Sequence, residues 1–492
     1  MRNPLQQLFS QTAIYGLSSI VGRLLNYLLV PLYTRLFLPA EYGIVTEFYA
    51  YAGFLSVFLT YGMETAYFRF ANTNDENKTF SAATASLLIS SVIFAVIIGI
   101  FSPFFANILQ YNSHSEYILW FAVIAATDAM SAIPFAQLRQ KNNAKRFAAL
   151  RLLNIGINIS LNLFFLLLCP YLLEKNFDFV KYFYSKEIGV GYIFISNLVA
   201  SVVTLVLLLP EFRDIRKPID RVLLRKMLVY AAPLLVAGMA GMINETLDRI
   251  LLKYFLTIPQ NCPNPNEYLL SQMGIYGANY KISILMTLFV QTFRYAAEPF
   301  FFSQAKKDNA KEIFAKVSTY FLLAGLIIFL GIIAYLDIIK YFISAKYHEG
   351  LKIVPILLIA NLCLGIYYNL SIWYKFTQQT SFGAYFSIMG AIITIFANIL
   401  LIPILNYFGA ALATFICYFS IMLTSYFVGQ KYFPIPYNIR KISFYVFLCG
   451  ILYFLMEFFV IQNFALNIVL RTIIFSIFPT FIFLFERKNL RI

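Results

Sequence analysis

Residues 383–402 read GAYFSIMGAIITIFANILLI, an unbroken run without one formal charge. At a rise of about 1.5 Å per residue, a helix of about twenty residues reaches about 30 Å, the thickness of a bilayer's hydrocarbon core. Backbone N–H and C=O groups find no water at that depth, so the segment must satisfy them internally, which a helix does. Comparable segments follow at 409–428, 442–461 and 466–485. Others precede it at 12–33, 42–63, 82–106, 117–138, 147–170, 189–209, 227–255, 274–293, 317–336 and 353–374. The count is about fourteen, all of helix length, which predicts an all-α membrane protein.

Composition points the same way. The chain has 492 residues, of which 60% are hydrophobic and 12% charged, with a mean hydropathy of +0.73. Soluble domains run at about half apolar and a quarter charged, so no set of soluble domains could cover itself with this little charge. Cys169, Cys262, Cys363, Cys417 and Cys449 are scattered and never form a CxxC pair, which predicts neither a disulfide framework nor a zinc site. The two histidines, His114 and His348, fall in loops, which argues against a histidine metal centre or a His-activated nucleophile. The apolar stretch from Gln11 to about Leu38 is too long for the h-region of a signal peptide and reads as the first span.

Orientation follows from the basic residues, which accumulate on the cytoplasmic side of spanning proteins. With both termini inside, about 25 Lys and Arg lie in cytoplasmic segments, about 9 outside and about 4 within spans. Acids divide almost evenly between the two sides, so the formal charge of +15 sits on the cytoplasmic face. Much of the bias comes from Arg139, Lys141, Lys145 and Arg146 and from Arg213, Arg216, Lys217, Arg221, Arg225 and Lys226. These runs read as topology determinants beside anionic lipid, and nucleic acid is not an expected partner.

The polar, basic stretch 210–226 separates six spans from the next six. Tyr42-Gly43 recurs as Tyr276-Gly277, Phe147-Ala148-Ala149 as Phe382-Gly383-Ala384, and Asn162 as Asn398. All three offsets fall near about 235 residues, the mark of an internal repeat. The predicted organisation is an N-terminal six-helix lobe (1–217), a pseudo-symmetric second lobe (218–438), and two extra helices with a short cytoplasmic tail (439–492). The segment 257–272, with Pro259, Pro263 and Pro265, is expected to be a non-helical outer cap.

Several motifs carry a family resemblance over nearly the whole length. They are Gly22-Arg23, Thr34-Arg35-Leu36, Leu38-Pro39-Ala40-Glu41-Tyr42-Gly43, Ala232-Pro233-Leu234, Leu247-Asp248-Arg249, and Gly274-Ile275-Tyr276-Gly277-Ala278-Asn279-Tyr280-Lys281. Glu298-Pro299-Phe300, Asn398, Ile402-Pro403 and Gly409-Ala410-Ala411 complete the set. The chain thereby resembles the polysaccharide transporter family, the lipid-linked oligosaccharide flippases of the multidrug/oligosaccharidyl-lipid/polysaccharide (MOP) exporter superfamily. The resemblance implies a V-shaped pair of six-helix lobes around a central cavity, alternating access by rocking of the lobes, a bacterial inner-membrane location, and no enzymatic activity. Partners implied are the lipid-linked substrate, membrane lipids, a glycan polymerase and glycosyltransferases.

A charge at bilayer depth is expensive unless it is paired or faces water, so each one in a span is a candidate. Arg23 and Asn26 share a face of the first span at i, i+3 spacing, and a guanidinium there can grip a phosphate in two places, the alternative being an ion pair with Glu47. Lys281 in the eighth span can set a point charge on a cavity wall, the alternative being that it snorkels to the interface. Arg249 shares a face with Glu245 and Asp248 and can either meet substrate or neutralise Asp248. Arg151 heads a polar stripe with Asn154 and Asn158, unless it only snorkels to the interface. Asp128, near the centre of its span, suits either an ion-coupled protonation step or a helix-packing hydrogen bond, and Glu47, Glu245 and Asp248 are the other candidate cavity acids. Glu64 and Arg69 in one half and Arg294 and Glu298 in the other occupy related places and could form an inner gate or plain surface pairs. Glu457 and Arg471, at similar depth in the last two spans, are expected to bridge.

The function expected is the translocation of a polyprenyl-pyrophosphate-linked oligosaccharide, such as an O-antigen, capsule or exopolysaccharide unit, from inner to outer leaflet. Arg23, Lys281 and Arg249 would neutralise the pyrophosphate. No cofactor is expected beyond coupling to a proton or sodium gradient or the membrane potential. The alternatives are a cation-coupled multidrug or small-solute antiporter on the same scaffold, for which the acids speak, and a peptidoglycan lipid-precursor flippase.

Overall fold

The computed structural model describes residues 21–22, 24–112, 114–215, 219–304 and 309–486, and for 298, 299 and 302–304 the backbone alone. Among these residues every regular element is helical. In chain order they are α1 (Val30–Leu36), α2 (Pro39–Thr60), α3 (Met63–Ala71), α4 (Glu76–Ile100), α5 (Ser102–Ile108) and α6 (Ser115–Gln140). Next come α7 (Ala144–Leu163), which runs through a π turn at Phe164–Leu168 into α8 (Cys169–Glu174), then α9 (Gly191–Leu207), α10 (Arg221–Phe255), α11 (Pro265–Gln304) and α12 (Ala310–Ala334). The chain continues with α13 (Leu336–Ile339), α14 (Val354–Leu370), α15 (Ile372–Phe376), α16 (Ser381–Tyr432), α17 (Ile439–Phe458) and α18 (Phe464–Glu486). Ten helical stretches among the described residues are long and apolar enough to cross a membrane.

Local chemistry sets the helix ends. Asp75, Asn143, Asp220 and Asn438 each accept a backbone N–H from the first turn of α4, α7, α10 and α17, satisfying donors that the helix itself leaves open. The expected span 42–63 stops at Thr60, because Tyr61 and Gly62 take left-handed φ values of 34° and 73°. The expected span 82–106 divides at Phe101, since Pro103 fits the first turn of a new helix but not the interior of a continuing one. The cap expected over 257–272 is shorter than predicted. Helix α11 begins at Pro265, a residue whose missing N–H matters least at a helix start. Asn406 breaks the long α16 with φ 54° and ψ −139°, where two separate spans were expected.

Contacts divide the chain into two compact units, Met1–Ile250 with Ile258–Gly274, and Leu251–Thr257 with Ile275–Ile492. Within the first unit, α2 and the start of α11 meet through glycine. A Cβ on Gly43 would stand 2.7 Å from the carbonyl carbon of Leu270, and one on Gly274 would stand 2.9 Å from the amide nitrogen of Gly43. Lipid is as apolar as leucine, so helices in a bilayer associate by such close approach and not by hydrophobic exclusion. Phe48 adds an aromatic hub, its ring 5.1–5.3 Å from those of Tyr111, Phe121 and Phe194, each pair contributing about 0.5–1.5 kcal/mol.

In the second unit, Trp373 is buried and lies flat on Tyr432, 5.6 Å between centroids. Arg471 does not bridge to Glu457 as expected. Its Nη1 lies 3.4 Å from Asp337 Oδ2, where Lys340 and Asn467 also bind the carboxylate at 2.9 and 3.1 Å, while Glu457 is exposed. Depth along the last two helices put Glu457 within range, but Arg471 faces the interior, toward α13, which follows α12.

Candidate functional site

Several polar side chains of the first unit form one cluster, and α7 supplies its spine. Arg151, Asn154, Asn158 and Asn162 follow at intervals of three and four residues, which places them on one helical face. Asn162 is fully buried and accepts from the Tyr33 hydroxyl at 2.8 Å, and its amide donates to Asn158. Asn158 in turn donates to Asn26 at 3.5 Å, and Asn154 donates to Thr204 of α9 at 2.9 Å. A ladder of carboxamides thus ties α7 to the start of the described chain and to α9, giving donors and acceptors at bilayer depth at little desolvation cost.

Arg151 itself is exposed, with its guanidinium carbon 4.1 Å over the Phe135 ring and 5.7 Å from that of Phe147. The side chain is therefore held by stacking on α6 as well as by its own helix. Asp128, the fourteenth residue of the twenty-six in α6, is exposed although Thr127 and Ala129 on either side are buried. Arg151 and Ser201 are the polar groups that act on its carboxylate. Tyr49 of α2 is also exposed, receives a hydrogen bond from Asn197 at 3.3 Å and stands near Asp128. Tyr49, Asp128 and Arg151 are thus accessible side chains of α2, α6 and α7 that lie close enough to act on one another. Sequence reading picked out Asp128, Arg151 and Asn26. It missed Tyr49, Asn197, Ser201 and Thr204, whose types are common in spans; the clue to Asn197, Ser201 and Thr204 was their shared face on α9 at i, i+4 and i+7.

The other candidates are placed as follows. Arg23 lies outside the described residues, as does the side chain of Glu298. Glu47 is fully buried and accepts from the hydroxyls of Tyr111 at 2.5 Å and Tyr51 at 3.2 Å, a packing position within α2. On α10, Glu245 is exposed while Asp248 is buried and accepts the Arg249 backbone N–H at 2.8 Å, so the two acids point into different surroundings. The Arg249 guanidinium donates to the Glu245 carbonyl at 3.0 Å. Glu64 forms an ion pair with Arg139, which sequence reading treated only as a topology residue, and Arg69 stacks 4.3 Å over Tyr230. Lys141 and Arg146, of the same basic run, pair with Asp214 and Glu211 at 2.8 and 2.7 Å.

In the second unit, Lys281 is half-buried in α11. Further along the same helix Arg294 lies 4.6 Å over the Tyr368 ring and lines a small pocket with Asn369 and Lys375. Among the described residues, no three His, Cys, Asp or Glu side chains are grouped to hold a metal ion.

The sequence profile of the polysaccharide biosynthesis protein family matches residues 8–305, more than half of the chain. No curated protein sequence matches significantly. Among solved structures, the lipid II flippase MurJ in an inward closed conformation is similar at TM-score 0.68 and 15% identity, over 98% of this chain and 100% of that one. An inward-facing multidrug resistance MATE family transporter of the MOP superfamily is similar at TM-score 0.60 and 14% identity, over 85% of this chain and 94% of that one. MATE in its straight conformation gives 0.57 and 14%, over 87% and 96%. Identities this low carry the fold alone, and it is the fold of multi-pass membrane transporters. The chain therefore belongs to the polysaccharide biosynthesis protein family and has the fold shared by the transporters of the MOP superfamily.

Proposed function

We propose that this protein is a flippase that carries a polyprenyl-pyrophosphate-linked oligosaccharide from the inner to the outer leaflet of a bacterial inner membrane by alternating access. In this reading fourteen helices form two six-helix lobes, 1–217 and 218–438, with two further helices at 439–492 and both termini in the cytoplasm. The observation that carries it is the polar cluster of the first unit, where an exposed Arg151 stands at the head of a carboxamide ladder. The cation answers a phosphate, and the amides and Tyr49 answer sugar hydroxyls. On the sequence reading, Lys281, Arg249 and Arg23 are the further cations proposed to neutralise the pyrophosphate. Without counter-charge, two negative charges would meet a barrier of many times the thermal energy at the bilayer centre. Glycan polymerase and glycosyltransferases are the partners that such a substrate implies.

Asp128 favours a second reading, a cation-coupled antiporter of drugs or small solutes, because an accessible acid beside Arg151 can bind a cation. One experiment separates the two. In a host lacking its own glycan flippase, the gene restores surface glycan and leaves drug tolerance unchanged. Drug tolerance without glycan export would support the antiporter. A peptidoglycan-precursor flippase, the function in the name of MurJ, would instead restore growth of a strain lacking that activity.

A further inference from the structure

We propose that the loop between α8 and α9 in the first unit is a membrane-interface anchor, whose aromatic side chains insert at the boundary between lipid headgroups and acyl chains. Phe177, Phe179, Tyr182 and Phe183 fall within seven residues and all are exposed, Tyr182 at 92%. The Phe179 ring joins its neighbours, 6.4 Å from that of Phe177 and 6.0 Å from that of Phe183. The loop is not a loose tether. Short 3-10 turns at Asp178–Tyr182 and Lys186–Ile188 shape it, Val180 is fully buried, and the Ser185 backbone N–H donates to the Tyr192 hydroxyl at 2.8 Å. An ordered loop that turns four large aromatic rings outward presents a patch of the kind that meets a partner or a membrane.

Continuity with the lipid-facing flank of the helix names the membrane as the occupant. Leu163, Leu167, Leu168 and Tyr171, along α7, the π turn and α8, are exposed, and exposed leucines on a spanning helix border acyl chains. The loop folds back onto this stretch, because the Phe183 ring stacks on that of Phe164 at 5.9 Å and 18°. Phe164 lies ten residues before the end of α8, about 15 Å along a helix axis. The 31 residues of Ala144–Glu174 reach about 46 Å, against about 30 Å of hydrocarbon core. With Lys145 and Arg146 holding the first turn at the opposite surface, the tip of α8 stands beyond the core, and a loop that returns about 15 Å along it lies at the core's edge. Charge does not drive the contact. Lys175, Lys181 and Lys186 are matched in number by Glu174, Asp178 and Glu187, and Lys181 pairs with Asp178 at 2.6 Å. The partner is therefore the apolar boundary of the bilayer, where aromatic rings settle in spanning proteins, and not an anionic lipid in particular. Anchored there, the loop holds the far end of α7 and α8 and the start of α9, helices of the carboxamide ladder, at a fixed depth.

The test places an environment-sensitive fluorophore on the loop. The full chain carrying Cys262→Ser and Tyr182→Cys is labelled at residue 182, the other four cysteines being buried, and reconstituted into phosphatidylcholine vesicles. The quenchers are lipids with a nitroxide near the headgroup or near the end of the acyl chain, and iodide present on both sides of the bilayer. The shallow nitroxide is expected to quench about twofold or more over the deep one, and the pattern should hold when anionic phosphatidylglycerol is added. The same label on Asn77→Cys, in the polar run 72–78, should be quenched mainly by iodide. Adding Phe177→Ser and Phe179→Ser to the chain labelled at 182 should shift quenching from lipid to iodide. Should that variant not fold, a label on Phe179→Cys carries the same prediction as the label at 182. Four results overturn the inference: quenching by iodide alone, strongest quenching by the deep nitroxide, shielding from lipid and iodide alike, as a second copy of the chain or another protein would give, or a serine variant with unchanged quenching. None of these outcomes depends on which substrate the chain carries, so the proposed function stands or falls separately.

Discussion

Replacing Gly43 by alanine should loosen the first unit more than any surface change. The new Cβ would stand 2.7 Å from the Leu270 carbonyl carbon and 3.1 Å from its Cα, against an ordinary carbon contact of about 3.5–4.0 Å. The two helices must therefore separate by about 1 Å. The atoms in the way are backbone, which cannot rotate aside as a side chain can. Overpacking a rigid contact costs about 1–3 kcal/mol, and this geometry places Gly43→Ala at the upper end, about 3 kcal/mol. For a unit of this size that is a fall in melting temperature of roughly 6–12 °C, read by fluorescence-detected size exclusion after heating in detergent. Gly156→Ala is the control. It lies within α7, a Cβ there meets nothing within 4 Å, and alanine is the better helix former by up to about 1 kcal/mol, so its melting temperature should hold or rise. Equal melting temperatures for Gly43→Ala and wild type would refute the close approach of α2 and α11.

Other perturbations have defined outcomes. Burial opposes the charge of Asp337, but the hydrogen bond from Lys340, the charges of Arg471 and Lys340 and the bond from Asn467 outweigh it and hold the carboxyl below its ordinary range. Its contribution to stability is therefore complete above the unfolded value of about 4 and is lost as pH falls through the lower folded value. Melting curves between neutral and strongly acid pH should show that loss in the wild type and a smaller one in Asp337→Asn; identical pH profiles would count against the Asp337–Arg471 cluster. Arg151→Gln should lower glycan export in the complementation assay by about 10–100-fold at unchanged protein level, the loss expected for one charge-assisted contact, with Arg151→Lys between the two. Asp128→Asn tests ion coupling. If the acid binds a coupling cation, the variant should lose the dependence of transport on an imposed proton or sodium gradient, and a retained dependence would assign Asp128 to packing.

Much of the architecture was legible because the bilayer permits so few solutions. A charge-free run such as 383–402 has to be a helix, and period, length and turn residues placed most of the rest. Boundaries were less legible where one residue decides them. Pro265 begins α11, although the three prolines of that segment together read as a loop, and Tyr61 with Gly62 ends α2 through φ values that no composition count reveals. Within the spans, charges were easy to find because they are rare there. Their partners were not, since pairing depends on rotation about each helix. Arg471 reaches Asp337 and not Glu457, and Glu64 reaches Arg139, a residue that sequence reading had assigned to topology. Tyr49 and Asn197 look ordinary until α2 and α9 bring them within 3.3 Å.

The most direct test of the central claim is transbilayer movement in a purified system. The protein is reconstituted into vesicles with a fluorescent polyprenyl-pyrophosphate-linked oligosaccharide, and the fraction reaching the opposite leaflet is read by a membrane-impermeant quencher. Wild-type vesicles should move the lipid well above empty ones, and the double variant Arg151→Gln with Lys281→Gln should fall to the empty-vesicle rate. Wild-type vesicles no faster than empty ones, or a double variant as fast as wild type, would contradict a cation-lined path for a phosphorylated lipid.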